Sequence, residues 1–179
     1  MAGQEYLEKL LKIYQSDSDI TRPFDINGDI YDAYAAFNVS SAKYVLVKKA
    51  ELWRADCFEH AFFLCRDHIT SEDLMDFQKN IENYIEPHLV RKGEESMPKD
   101  HMYTYITGIF VSDQGISKEM KKEISKFRFF KNYRLGIRGY SEARLLVFDR
   151  ENHQMIGNPA SRDLIKGYKK IIKRSPDLL

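Results

Sequence analysis

The chain has 179 residues, of which 43% are hydrophobic, 13% aromatic and 31% charged, with a formal net charge of +1. That composition excludes a disordered chain, and the length lets one domain over residues 1–179 bury roughly 70% of its unfolded surface without a metal or disulfide. No apolar run approaches the roughly 18 residues of a membrane span, so no membrane partner is expected.

The start, Met1-Ala2-Gly3-Gln4-Glu5, lacks the basic-then-apolar pattern of a secretion signal, and a cytoplasmic protein is expected. Cys57 and Cys65 lie in one strand-like run, DCFEHAFFLC. Eight residues of strand put them roughly 26 Å apart, too far for a disulfide, which fits a reducing compartment. The small net charge conceals a split. Residues 1–100 carry 12 Lys+Arg against 19 Asp+Glu, a balance of −7, and residues 101–179 carry 16 against 8, a balance of +8. Either the two halves face each other, within the fold or across a homo-oligomer contact, or the basic half meets an acidic partner such as nucleic acid.

In chain order, Leu7, Leu10, Leu11 and Tyr14 mark the buried stripe of a first helix over 4–15. A connector with turn chemistry follows through Pro23 and Asn27-Gly28. Alternation of Tyr31, Ala33, Ala35, Phe37 and Val39, a break at Ser40-Ser41 and the run Tyr44 to Val47 predict a hairpin. A third strand over 57–65 is apolar enough for burial on both faces. Thr70 is placed to cap the next helix, with acids in its first turn and an Ile69–Leu74 staple. Its buried stripe would be Leu74, Phe77, Ile81, Tyr84 and Ile85, with Pro87 kinking or ending it. Residues 91–100 read as an exposed polar loop.

A long strand at 101–111 comes next, then a helix capped by Ser117 and buried through Met120, Ile124 and Phe127. A second long strand near 135–148 is expected to bend at Gly139. A short apolar piece at Met155-Ile156 and a helix over 160–173 complete the chain. The class is α/β (α+β): a single mixed β-sheet flanked by helices, in the order αβββαβ, then a helix, long strand and helix.

The spacing Cys57-x2-His60-x4-Cys65-x2-His68 brings zinc to mind through its ligand types. Strand alternation, however, turns His60 away from both cysteines, so no metal site is expected. His101, Tyr103 and Tyr105 fall on one strand face by parity and would stack unpaired bases if exposed, or pack as core if covered. Arg138, Tyr140, Glu142 and Arg144 share a second face. His101, Arg138, Glu142 and Arg144 are the binding candidates, the arginines for an anion, with a cross-strand ion-pair ladder as the structural alternative. No GxGxxG, GxxxxGK[ST], GxSxG, HExxH or CxxC pattern occurs.

The order of elements over residues 4–112 resembles the αβββαβ core of the restriction-endonuclease-like nucleases. That resemblance implies an acid on the second strand and a Glu- or Asp-x-Lys on the third holding Mg or Mn and activating water. Here the third strand reads Glu59-His60-Ala61, without the lysine, and the nearest acids are Glu51 and Asp56; the implied catalytic residues are Asp56, Glu59 and His60. The wording HMYTYITGIFVSD with GIRGYSEARLLVFDRENHQMIGN, within 75–170, resembles a family of uncharacterised clostridial-type bacterial proteins, which implies no activity. The expected function is a non-enzymatic binding or assembly module without a cofactor. The alternative is a divergent metal-dependent nuclease or nucleic-acid-binding protein acting through the basic C-terminal half.

Overall fold

A computed structural model describes residues 2–14, 19–38 and 56–174, so the expected strand at 44–47, its turn and Glu51 lie outside the described residues. The main sheet runs β1 (Asp19–Thr21), β4 (Ala33–Asn38), β5 (Asp56–Arg66), β6 (His101–Ser112), β8 (Tyr140–Asp149), β7 (Phe130–Asn132). A further strand, β9 (Gln154–Gly157), lies beside the second half of β8, as β7 lies beside its first half. The β5–β6 and β6–β8 pairs are parallel and the others antiparallel. The stretch read as a connector carries β1 and a separate small ribbon, β2 (Phe24–Ile26) with β3 (Asp29–Tyr31).

The three parallel strands are apolar on both faces because helices cover both. On one face Phe62, Leu64, Ile106, Phe110, Leu145 and Val147 pack beneath α2 (Ser71–Asn80), its continuation Ile81–Val90 and α3 (Lys118–Lys126). On the other, Phe63, Ile109, Val111, Leu146 and Phe148 pack beneath α1 (Ala2–Tyr14) and α4 (Arg162–Arg174). Tyr14 and Tyr168 join these two helices through their hydroxyls at 2.7 Å. No helix among the described residues is long and apolar enough to cross a membrane.

The local signals act where expected. Thr70 caps α2, accepting from Asp73 N–H, while the Asp73 carboxylate accepts from Thr70 N–H at 2.8 Å. Ser117 caps α3 in the same manner. Pro87 neither ends nor breaks its helix. The turns from Ile81 to Val90 widen to i→i+5 bonding, with Arg91 N–H donating to the Glu86 carbonyl at 3.0 Å. Widening relieves the clash of the proline ring with the carbonyl four residues back. It also turns Glu86 inward, where it is 2% exposed. There its carboxylate accepts from Arg91 Nε (2.6 Å), Lys131 Nζ (2.8 Å) and Tyr133 Oη (3.0 Å).

The second long strand starts later than its apolar pattern implies. Residues 133–139 form a turn in which Arg134, Leu135, Gly136 and Gly139 all have positive φ, so β8 begins at Tyr140. Gly139 is the end of this turn rather than a bend inside the strand. A Cβ there would run into the carbonyl oxygen of Met102.

Gly139→Ala should therefore lower unfolding stability by about 2 kcal/mol or more, because strained backbone and collision add. Glu86→Ala should cost about 3 kcal/mol by leaving two cations and a phenol short of their shared acceptor. Urea denaturation followed by circular dichroism measures both.

Candidate functional site

The residues singled out in the sequence sort onto opposite faces of the sheet, and a bulge and a turn take His101 and Arg138 out of their expected rows. In the β5–β6 ladder Asp56 pairs with His101, but Cys57 pairs with Tyr103, so Met102 is an extra residue. The bulge reverses the parity of His101. Instead of joining Tyr103 and Tyr105, His101 turns to the face of Thr104. Its Nδ1 lies 2.7 Å from the Arg138 carbonyl and its Nε2 2.9 Å from Thr104 Oγ1. A carbonyl only accepts, so Nδ1 carries a proton. Arg138 departs from its expected row for a related reason. It belongs to the 133–139 turn, and its guanidinium donates to the Met97 carbonyl at 2.9 Å.

His101 and Arg138 stand at one end of a cavity of about 1040 Å³ between the sheet face of β4–β6 and the segment 88–98. Tyr34, Phe58 and His60 form its sheet wall. The opposite wall carries His88, Lys92 and Ser96. His60 Nδ1 is 2.7 Å from Tyr34 Oη, and the two rings are stacked at 6.0 Å. Burial, with Lys92 adding positive potential, lowers the His60 imidazole to about 4, so it is neutral at pH 7. Its Nε2 has no hydrogen-bond partner among the described residues, and the buried Ser96 hydroxyl has none either. Lys92 carries no ion pair among them. The cavity thus has aromatic walls and three polar groups, an imidazole nitrogen, a hydroxyl and an ammonium, with bonding capacity to spare.

Glu59, Glu142 and Arg144 lie on the other face, the one that α1 and α4 cover further along the strands. The ladders align Glu59, Tyr105 and Glu142 in one row and Thr107 with Arg144 in the next. Thr107 Oγ1 donates to Glu59 Oε1 at 2.5 Å. Burial pushes the Glu59 carboxyl above its ordinary range, against the opposing pull of Arg144 and Thr107. Arg144 lays its guanidinium over the Tyr105 ring, 3.1 Å from the centroid, in place of a cross-strand ladder with Glu142. Tyr103, Tyr105, Tyr140 and Phe130 continue this aromatic row at centroid separations of 4.6 to 6.1 Å.

Glu59 and His60 are consecutive on β5 and so face opposite sides of the sheet. Asp56 opens the same strand through its backbone pairing with His101. Among the described residues no group of three or more His, Cys, Asp or Glu side chains is placed to hold a metal ion. Cys57 and Cys65 are not joined by a disulfide, and burial pushes Cys65 up to about 12. Sequence reading missed Tyr34, His88, Lys92 and Ser96. The one signal was Met97, apolar within a polar loop and 5% exposed in the fold, which shows that the loop packs inward.

His60 makes stability depend on pH. Its folded value of about 4 lies below its unfolded value of roughly 6.5, so the unfolded state takes up the proton first. Stability should be full above pH 6.5 and fall progressively as pH drops towards 4. His60→Phe should flatten the profile across that window, while leaving the loss at lower pH that comes from protonating Glu86 and Asp149, both held below the usual carboxylate range. Denaturation midpoints measured from pH 3 to pH 8 test this.

Comparison with curated proteins gives no match, and comparison with solved structures gives none. Residues 2–170, almost the whole chain and well beyond the wording noted in its second half, match the family model described as Domain of unknown function (DUF8052), and the chain belongs to that family.

Proposed function

We propose that the chain is a non-enzymatic binding module whose cavity takes a small molecule with a flat, apolar body and an anionic end. The observation that carries this reading is the cavity itself: aromatic walls with His60 Nε2, the Ser96 hydroxyl and Lys92 unpartnered around them. Of these groups the Ser96 hydroxyl is buried without a partner among the described residues, and pairing it is free energy a ligand would gain, since an unpaired buried polar group costs about 1–3 kcal/mol. Tyr34, itself stacked on Phe24 at 4.3 Å, offers a preformed ring wall for a flat body. Arg91, Lys92 and Arg138, set against the single acid Glu94 of the same loop side, favour a negative group there.

The nuclease-like reading would set Glu59 and His60 on one metal, and β5 sends them to opposite faces. A binding module is therefore preferred over the nuclease-like alternative. The unbridged state of Cys57 and Cys65 supports a reducing compartment such as a bacterial cytoplasm.

Phenyl phosphate and benzoate, with benzyl alcohol as the uncharged control, are the probes, and amide chemical shifts report their binding. Both anions should shift resonances of Tyr34, His60 and residues 88–98, with Kd values in the micromolar to millimolar range, and benzyl alcohol should bind at least 10-fold more weakly. Lys92→Glu should weaken phenyl phosphate by about 10-fold, roughly 1.4 kcal/mol, and Ser96→Trp should abolish binding by filling the cavity. Absence of shifts with all three probes, or shifts unaffected by both substitutions, defeats this reading.

A further inference from the structure

Six large hydrophobic side chains are strongly exposed among the described residues, and they fall into two groups of opposite charge. Phe130 (56%), Leu135 (99%), Ile137 (80%) and Met102 (42%) crowd around the 133–139 turn, in a neighbourhood that also holds Arg128, Arg134 and Arg138, and Lys131, which pairs with Glu86. Ile30 (56%) and Met75 (55%) lie at a second place, on β3 and α2. Ile30, Tyr31 and Leu64 there line a depression of about 270 Å³ rimmed by Asp29, Asp73 and Asp76. Asp25 and Glu72 add to its negative charge, against Arg66, which lies 3.6 Å from Asp73, and Lys79, which lies 3.0 Å from Asp76.

The two places cannot meet within one molecule. The turn precedes β8 at Tyr140, level with Cys57 across the parallel ladders, and the depression includes Leu64 and Arg66 at the far end of β5. Nine residues of strand separate the two levels, about 30 Å. One end of the sheet therefore carries a basic projection tipped with leucine and isoleucine, and the other an acidic hollow edged by the exposed Ile30.

The projection is built to hold its shape. Tyr133 anchors its base through Glu86 and Ser141, and the Tyr133 carbonyl accepts from both Gly136 and Arg138 N–H at 3.1 Å. Two consecutive non-glycine residues, Arg134 and Leu135, are held at positive φ, and that strain presents Leu135 to solvent. A rigid tip loses little entropy on docking.

We infer that this chain associates head to tail with further copies of itself, the Leu135 tip of one entering the acidic hollow of the next. Charge complementarity selects this occupant: the halves of the chain carry +8 and −7, and the tip and the hollow lie on those respective halves. Such a contact is heterologous, so it leaves one tip and one hollow open at the ends and grows into chains or a ring. Its small area makes it weak and salt-sensitive.

Sedimentation velocity on the full chain tests the inference, using one variant for each end. Arg134→Glu with Leu135→Asp disables the tip and keeps its backbone, because aspartate tolerates positive φ better than leucine. Ile30→Lys at an exposed position with Asp76→Lys at a half-buried one, beside Lys79, disables the hollow. The wild type should grow in mean mass with concentration, and association should weaken at least 10-fold between 50 and 500 mM salt. Each variant alone should remain a monomer with an unchanged circular dichroism spectrum, and an equimolar mixture should give a heterodimer and nothing larger. If the tip variant loses its fold, Leu135→Asn replaces it, with the same expectations. A wild type that stays monomeric up to millimolar concentration overturns the inference, as does a variant that associates alone or a mixture that stays monomeric while the wild type assembles.

Discussion

Everything else in the molecule hangs on the β5–β6–β8 trio being parallel and buried on both faces. Parallel pairing requires long crossovers, and those crossovers supply α2, its widened continuation and α3 to one face. The opposite face is left for helices from distant parts of the chain, and α1 and α4 fill it. Strict alternation along each strand then assigns every side chain to one layer or the other. Where alternation holds, Glu59, Thr107 and Arg144 meet on the sheet face that α1 and α4 cover further along. Where it slips, at Met102, His101 crosses to the cavity side. Moving one histidine from an aromatic row into a cavity wall takes no more than one additional residue in one strand.

Several elements were legible because their causes are local. The Thr70 cap depends on residues three apart, the stripe of α1 on positions 7 to 14, and the burial of β5 and β6 on their own apolar runs. What escaped reading depends on two strands or on backbone strain. A bulge is a property of a pair of strands, so nothing in His101-Met102-Tyr103 announces it. The start of β8 was hidden because Leu135 and Ile137 read as strand residues although the backbone holds Leu135 at positive φ. The persistence of the helix past Pro87 was hidden because widening trades one hydrogen-bond register for another. The cavity was hidden for a third reason: Tyr34, His60 and the stretch from Ser96 to His101 are separated by tens of residues, and convergence of distant segments leaves no local spacing to read.

Glu86 connects these irregularities. The widened turns bring its carboxylate inward, and two cations and Tyr133 converge on it. Arg91 then fixes where the cavity wall leaves the helix, and Tyr133 fixes the base of the projecting turn. Cavity and projection are thus both anchored to one buried charge, whose hydrogen bonds more than offset its desolvation and hold it below the ordinary carboxylate range.

The hydroxyl contact between Tyr14 and Tyr168 spans 154 positions of sequence. During synthesis α1 therefore leaves the ribosome well before the strands that bury Leu7, Leu10 and Leu11, and before the helix that locks it in place. For most of translation the nascent chain holds an apolar stripe with nothing to cover it, the kind of surface that chaperones bind. Closing that face is a late event, set by the time the ribosome takes to reach α4 rather than by any property of α1 itself.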